Sequence, residues 1–376
     1  MNEKVNSAWS KLFNCAYGFF LIYSTLGYIP ALHSIVQLLS MVGIVLLIFG
    51  FFFQYRFCTK KEFLAYCFFL ILAIVTAIYN KNFAFIKLVL FAGSIRCVEM
   101  KSIAKFDLKL RAILIFLLYV MSLIGLATDN VFYYNGLARH SLGFTNPNAL
   151  GVAVYILVCD IIFVVGNEIK IKHVIIINLI AGWLYSVARC RTSVFAILLL
   201  VLLIISYKLF PRIYKTKIMK ILFIITPFVL SFVTYISVKG LINNHPAALA
   251  LDQLMTTRLS AVAAFAVRLK PSFFGQPIGE TVALSMDNAY GFALYDLGIL
   301  ISIILLCLTV RAFNKYFRTQ NIMLCIIMLS FIYYGLSEHL WLFVDYNIFM
   351  LAWCPNLVVQ DFSLLHSEGK VNILVR

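Results

Sequence analysis

Long apolar runs recur from one end of the chain to the other, and they restrict the fold more than any other feature. Each run is about 17–22 residues long, the length that an α-helix needs to cross the hydrocarbon core of a bilayer. Hydrophobic residues make up 63% of the chain and charged residues 12%, whereas soluble domains contain about 45–50% and about 25%. A single protein core cannot bury that much apolar surface, so the sequence predicts a polytopic membrane protein.

The runs have the length of membrane helices and lack the alternation, over roughly ten residues, of outer-membrane barrel strands. They predict an all-α transmembrane helix bundle of about twelve spans, in one membrane domain over residues 1–376. No A-x-A cleavage site follows the first run, so we expect it to stay in the protein as a span. The predicted spans are 12–30, 34–54, 63–79, 83–97, 112–128, 147–165, 173–188, 192–210, 221–238, 291–310, 321–337 and 340–356.

Basic residues give the bundle an orientation. Of the 31 lysines and arginines, 22 fall in alternate connections and in the two termini, including Lys101, Lys105, Lys109 and Arg111 ahead of the fifth span. The positive-inside rule makes those connections and both termini cytoplasmic. The net charge of +16 is therefore mainly a topology signal, with some attraction to anionic lipid. We expect a multi-pass protein of the cytoplasmic (inner) membrane that does not bind nucleic acid.

The connections on the predicted outer side are 129–146, 189–191, 239–290 and the turn at Glu338 and His339. The longest, 239–290, is a large extracytoplasmic loop, and loops of that length are usually functional. Residues 247–270 within it read as one amphipathic helix that ends at Pro271. We expect this helix to lie on the membrane surface or to pack back against the bundle.

Arginines on the outer side run against the positive-inside bias and need a reason for being there. An arginine keeps its charge and can bind phosphate oxygens in pairs, so it suits a diphosphate ligand. Arg191 begins a span in RCRTSV, where a cation opposes the helix dipole but, together with the helix start, suits an anion. Ordinary snorkelling toward the headgroups is the alternative. The candidates are Arg139, Arg189, Arg191, Arg258 and Arg268.

Few acidic or titratable residues lie on this side. Asp287 and Asn288 precede the tenth span in SMDNAYGFALYDLG, where they could cap the helix or, in the case of Asp287, act as a general base. Glu338, His339 and His140 are the other candidates for that base. The chain has no HExxH, DxD or Cys/His cluster, no phosphate-binding glycine loop and no Rossmann fingerprint, so we expect neither a metal site nor a cofactor.

The segment ARHSLGFTNPNALG, residues 138–151, is rich in polar and turn-forming residues although it opens a predicted span. Asn146 or Asn148 can cap that span, and Pro147 suits its first turn. This local role leaves Arg139 and His140 unexplained. The exposed amides of the helix start could receive a diphosphate or a sugar hydroxyl.

Four motifs occur in a recognisable order. They are GFTNPNALG opening the sixth span, Arg191–Thr192 opening the eighth, PSFFGQPIG in the long outer loop, and DNAY ahead of a span with Leu297 and Gly298. Over residues 139–300 this order resembles the O-antigen polymerase and ligase superfamily, in particular the Wzy-type polymerases of capsule and exopolysaccharide clusters. Two departures are Asp287, where the family often has His, and Cys190, where a small residue usually precedes Arg-Thr.

The resemblance implies a glycosyltransferase that joins undecaprenyl-diphosphate-linked oligosaccharide units on the outer face of the membrane, without a nucleotide. A flippase and a chain-length regulator are the partners that it implies. We expect Arg191 and Arg258 to hold the diphosphate, with Arg139 and Arg268 assisting, and Asp287 to activate the acceptor ahead of Glu338, His339 and His140. The residues expected to contact substrate are Arg139, Asn146, Asn148, Arg189, Arg268, Asn288 and Tyr290.

Two other functions stay open. A ligase of the same superfamily would transfer the finished glycan to a different acceptor, and the sequence barely separates the two reactions. A transporter or flippase commonly has twelve spans too, but it places its charged sites near the middle of the bilayer. The polar residues here gather at the predicted outer mouth, which favours chemistry at the membrane surface.

Overall fold

The computed structural model describes residues 3–54, 59–95, 98–134, 136–278 and 286–354, and within these ranges the chain is mostly α-helical. Seven of the helices described there are long and apolar enough to cross a membrane. The prediction of a helical bundle with membrane-length helices is thereby confirmed, and the count of twelve spans stays a prediction. The helices are α1 Glu3–Leu26, α2 His33–Gln54, α3 Lys60–Asn80, α4 Ala84–Ser94, α5 Met100–Leu123, α6 Pro147–Val165, α7 Ile171–Ala188, α8 Arg191–Leu209, α9 Lys217–Ile242, α10 Pro246–Leu254, α11 Arg258–Arg268, α12 Ala289–Phe292, α13 Ile299–Arg318 and α14 Ile322–Tyr334. The predicted cytoplasmic tail lies outside the described residues.

Helices α6 and α14 form the centre of the bundle. Nearly every residue of α14 is buried, as expected of a helix that is apolar on all sides and surrounded by protein. Two buried hydrogen bonds tie it to its neighbours: Tyr155 of α6 pairs with Ser330 at 2.6 Å, and Ser193 of α8 pairs with Tyr334 at 2.7 Å. The starts of α6 and α8 therefore lie beside the end of α14.

A β-hairpin occupies part of the predicted outer connection and adds one short strand pair to the otherwise helical fold. Strands β1 (Val131–Tyr134) and β2 (Leu137–His140) pair antiparallel, with Tyr134 opposite Leu137. In the sequence, Asn135 and Gly136 separate two partly apolar segments, which is a strong signal for a two-residue hairpin turn.

The amphipathic segment 247–270 is two helices, and the prediction of one continuous helix is wrong. Thr256 and Thr257 both adopt left-handed backbone angles between α10 and α11. The carboxylate of Asp252 folds back and accepts hydrogen bonds from the amides of Leu259 and Ser260 at 2.9 and 3.0 Å. It caps α11 from the preceding helix, and the interruption turns the start of α11 toward the bundle.

Residues 340–354 do not form the predicted spanning α-helix. They contain two short 3-10 helices, Leu340–Leu342 and Ile348–Trp353, and most of their side chains are buried in protein. The apolar run therefore reflects packing inside the bundle, where an irregular backbone is tolerated because protein groups satisfy it. Arg111 donates to the carbonyl of Tyr346 at 2.7 Å and Tyr316 to that of Ala352 at 2.9 Å.

Candidate functional site

A cavity of about 670 Å³ lies where the hairpin, the starts of α6, α8 and α11 and the end of α7 meet. We call it the arginine cavity, because four guanidinium groups line it. Among the residues that the structure describes, Asp287 is the one carboxylate in its lining. The excess of positive charge would favour an anion in the cavity. Its lining residues are Leu137, Arg139, Asn148, Tyr185, Arg189, Arg191, Thr192, Thr256, Thr257, Arg258, Ser260, Ala261 and Asp287.

Arg139 reaches the cavity from strand β2. Its Nη2 donates to Oδ1 of Asn148 at 2.9 Å, and its Nε donates to the carbonyl of Ala188 at 3.2 Å. These bonds connect the hairpin to the start of α6 and to the end of α7. Adjacent residues of a strand point to opposite faces, so His140 points away and bonds to Asp129 at 2.7 Å.

The two asparagines at the start of α6 have different roles. Asn146 is the cap residue, and its Oδ1 accepts the amide of Ala149 at 2.9 Å. Pro147 occupies the first turn, where its fixed φ suits a helix. Asn148 is therefore available to hold Arg139. The motif was correctly predicted to cap the sixth span, but only the second asparagine lines the cavity.

Two glycines of the same motif allow close packing. Gly143 has a φ of +84°, and a Cβ there would lie 2.7 Å from the carbonyl oxygen of Leu118. A Cβ on Gly151 would overlap the hydroxyl of Ser193 on α8. Because α6 and α8 touch at this point, the glycine fixes how closely the start of α8 approaches Asn148.

Arg189 and Arg191 enter the cavity from the tight turn between α7 and α8. Arg189 has a φ of +47°, and its amide donates to the carbonyl of Tyr185 at 3.2 Å. Between them, Cys190 is buried, and its thiol donates to the carbonyl of Pro147 at 2.7 Å. The cysteine that departs from the family pattern thus ties this turn to α6.

Arg258 begins α11 and is nearly buried at the cavity wall, where it forms an ion pair with Asp287. Burial lowers the pKa of Arg258, and the nearby Glu338 carboxylate opposes that shift. The sequence predicts that Arg258 and Asp287 belong to one site, and in the structure their side chains are in contact. The ion pair also means that the carboxylate of Asp287 already has a cationic partner.

Glu338 and His339 follow α14 in a buried turn. The Oε1 of Glu338 accepts the amides of His339 and Leu340 at 3.0 and 3.2 Å. Burial raises the pKa of Glu338 to about 7, although the charge of Arg258 lowers it. Burial and then Arg258 lower the pKa of His339 to about 4, and its ring packs against that of Phe292 with the centroids 4.6 Å apart. At neutral pH the histidine is uncharged and the glutamate is poised to titrate.

Several predicted substrate-binding residues lie outside the arginine cavity. Arg268 is exposed at the far end of α11. The buried Asn288 caps α12 and donates to the carbonyl of Leu336 at 2.7 Å. The hydroxyl of Tyr290 donates to the carbonyl of Ile332 at 2.8 Å. The structure places these three residues, with His140 and Asn146, outside the lining of the arginine cavity.

Sequence reasoning missed the hydroxyl groups of the cavity. Thr192, Thr256, Thr257 and Ser260 line it beside the arginines, where hydroxyls can donate to phosphate or pair with sugar hydroxyls. Two consecutive β-branched threonines in an otherwise helical pattern are a weak sign of a helix break. A break at this point would place both threonines just ahead of a new helix that begins at Arg258.

The arrangement can bind an anion with several oxygens, and the titratable Glu338 interacts electrostatically with Arg258 from a buried position outside the lining of the cavity. Arginines engage phosphate oxygens in pairs, and four of them surround one cavity.

In the ranges that the structure covers, no three His, Cys, Asp or Glu side chains are grouped as a metal site would need. No family model, no curated protein and no solved structure matches this chain.

Proposed function

We propose that the protein is a polysaccharide polymerase, which joins undecaprenyl-diphosphate-linked oligosaccharide units to build a capsule, exopolysaccharide or O-antigen. One observation carries the proposal: Arg139, Arg189, Arg191 and Arg258 line a single cavity together with Asp287. A lipid-linked diphosphate is an anion that needs several fixed cations and no nucleotide. The resemblance of residues 139–300 to the O-antigen polymerase and ligase superfamily points the same way.

The reaction breaks the bond between the anomeric carbon of the growing glycan and its diphosphate. A hydroxyl oxygen of the incoming unit forms the new bond to that carbon, and undecaprenyl diphosphate leaves with the electron pair. Negative charge grows on the leaving oxygen, where fixed guanidinium groups stabilise it most. Arg191 and Arg258 would hold this group, and Arg139 is held in place for it by Asn148.

The proton of the acceptor hydroxyl needs a base. The sequence favours Asp287 for this role, but in the structure its carboxylate already has Arg258 as an ion-pair partner. Glu338 lies near Arg258 and has a pKa of about 7, which matches a base that works at neutral pH. We therefore assign the base to Glu338 and the orientation of Arg258 to Asp287.

In the proposed topology the chain crosses the cytoplasmic membrane about twelve times, with both termini inside and the arginine cavity outside. Alternation of basic residues supports this orientation. The last crossing would be the irregular segment after Glu338, which runs through the interior as far as Tyr316 near the end of α13. Its buried position makes a non-helical crossing feasible.

A ligase reaction would use the same cavity and leaving group, and only the acceptor would differ. A flippase for lipid-linked oligosaccharides is the second candidate, because the bundle also buries charges within its helices. Arg111 contacts Asp107 at 2.9 Å and lies 3.9 Å from Asp160, all three buried. Ionisable groups inside membrane helices often mark a transport path.

The test uses purified protein in liposomes with undecaprenyl-diphosphate-linked oligosaccharide bearing a fluorescent sugar. The native protein should give a ladder of products. Arg191→Ala and Arg258→Ala should each slow its growth by about 100-fold or more. Arg268→Ala, at the exposed end of the same helix as Arg258, is the matched control and should keep the native rate.

Full-rate growth by both cavity variants would refute the assignment of the arginines. If the label were joined to a different acceptor and no ladder formed, the protein would be a ligase. Movement of the label across the bilayer without any new glycosidic bond would favour the flippase.

A further inference from the structure

A second charged cavity, of about 690 Å³, lies between the start of α9 and the end of α13. We call it the basic cavity. It is formed by two parts of the chain that are nearly a hundred residues apart in sequence. Its charged lining residues are Lys215, Lys217, Lys220, Arg311, Lys315 and Arg318.

The basic cavity has no carboxylate in its described lining. The sequence contains no Asp or Glu between residues 169 and 251, or between 297 and 337. Neither wall therefore has an acidic residue close to it in sequence. Six cations around one concavity repel each other, and the concave shape strengthens their combined field. An anion bound there would relieve the repulsion.

The positive-inside rule alone does not require this arrangement. The rule is satisfied by basic residues on any exposed surface of the cytoplasmic side, as on α5, where Lys101, Lys105 and Lys109 are exposed. In the basic cavity, Lys220 and Lys315 are instead half-buried in opposite walls. The start of α9, capped by Thr216, adds the positive end of its helix dipole.

The surface next to the basic cavity suits the acyl chains of a lipid. Ile218, Ile221, Leu222 and Ile225 are exposed along α9 directly after the lysines. Both α9 and α13 are long and apolar enough to cross a membrane, so their ends lie near headgroup depth. Basic pockets between membrane helices on the cytoplasmic side bind the headgroups of anionic lipids such as cardiolipin.

We propose that the basic cavity binds the headgroup of an anionic phospholipid, with the acyl chains along the apolar face of α9. A lipid with two phosphates engages more of the six cations than a lipid with one. The site is separate from the arginine cavity, since the two cavities share no lining residue. The proposal therefore does not depend on the reaction catalysed.

The experiment measures lipid binding to the purified full-length protein by native mass spectrometry, with cardiolipin, phosphatidylglycerol or phosphatidylethanolamine added. The native protein should bind cardiolipin most tightly and phosphatidylethanolamine most weakly. The triple variant Lys217→Gln, Arg311→Gln, Arg318→Gln loses three exposed cations of the cavity. Its affinity for cardiolipin should fall on the order of 100-fold.

The matched control is Lys101→Gln, Lys105→Gln, Lys109→Gln, which removes the same charge from exposed positions on the same predicted side. It should keep cardiolipin affinity within about threefold of the native value, because its cavity is intact. The general attraction of the surface for anionic lipid falls equally in both variants, so a difference between them reports on the cavity. Equal losses in the two variants, or equal binding of all three lipids, would overturn the proposal. Displacement of cardiolipin by millimolar inorganic phosphate would show a site for free phosphate instead. Melting temperatures of both variants equal to that of the native protein would establish that they are folded.

Discussion

Asp287 forms an ion pair with Arg258 at the wall of the arginine cavity. Glu338 lies within electrostatic range of the same guanidinium, and its pKa is held near 7. Two carboxyl groups around one arginine thus have different environments, and the difference suggests separate roles. Asp287 stabilises the position of Arg258, and Glu338 can exchange a proton near neutral pH.

The first prediction separates these roles through the pH dependence of chain growth. A base acts in its ionised form, so the rate should rise with pH and level off above about 7, the pKa of Glu338. Glu338→Gln keeps an acceptor for the amides of His339 and Leu340 and loses the base, so the rate should fall at least about 100-fold. Asp287→Asn should slow growth less and keep the native pH profile. A native profile in Glu338→Gln would contradict the assignment.

The raised pKa of Glu338 also makes the stability of the fold depend on pH. The pKa of Glu338 is raised in the folded state above its ordinary 4.5. Its contribution to folding is therefore fully present below about pH 4.5 and is lost as pH rises through about 7. Thermal unfolding between pH 5 and 8 should show a smaller decline with pH in Glu338→Gln than in the native protein.

The second prediction concerns the geometry of Arg139. Its Nε and Nη2 donate to two different acceptors, Ala188 and Asn148, and the single ammonium of a lysine cannot hold both. Arg139→Lys should therefore slow chain growth about tenfold or more although the charge is kept. Arg268→Lys is the control and should have no effect, because Arg268 is exposed outside the cavity. Equal rates in the two variants would show that charge alone matters.

The third prediction tests the close contact of α6 and α8. Gly151→Ala places a Cβ against the hydroxyl of Ser193 and should destabilise the protein by about 1–3 kcal/mol. Gly182→Ala, in the middle of α7, has no described heavy atom within 4 Å of the new Cβ. It should be neutral or stabilising, since alanine favours helices over glycine. The measurement is thermal unfolding in detergent, and similar melting temperatures would rule out the contact.

The sequence predicted the parts of the fold that depend on local chemistry. Apolar length identified the helices, and Asn146 with Pro147 correctly marked the start of α6. Positive-inside bias singled out Arg139, Arg189, Arg191 and Arg258, which meet in one cavity. Arg268 runs against the same bias but lies at the exposed end of its helix. The pattern predicts a side of the membrane but not the direction of a side chain.

What the sequence missed depends on contacts between distant residues. Residues 340–354 are apolar because they are buried in protein, and hydropathy does not distinguish protein from lipid. The break before α11 comes from Asp252, which caps a helix that begins six residues later. Arg111, which the sequence places in a cytoplasmic connection, is buried inside α5, where it donates to Asp107 of the same helix and to the carbonyl of Tyr346 from a distant segment. Such pairings are visible only in three dimensions.

The fourth prediction tests the cap at α11. Asp252→Ala removes the acceptor for the amides of Leu259 and Ser260 and should cost about 1–2 kcal/mol, as lost helix caps do. Because Arg258 begins that helix, chain growth should also slow. Gln253→Ala changes the exposed neighbouring residue and should alter neither property. Native growth with reduced stability would mean that the cap does not position Arg258.

The fifth prediction concerns the buried charges around Arg111. Its Nη2 donates to Asp107 at 2.9 Å and to the carbonyl of Tyr346 at 2.7 Å, so it links α5 to the irregular segment 340–354. Arg111→Gln leaves Asp107 and Asp160 buried without their cation and should cost about 3–5 kcal/mol. Lys109→Gln, exposed two residues away on the same helix, should cost almost nothing. A small loss in Arg111→Gln would mean that water or a proton already neutralises the two carboxyl groups, and the melting temperature in detergent decides between these outcomes.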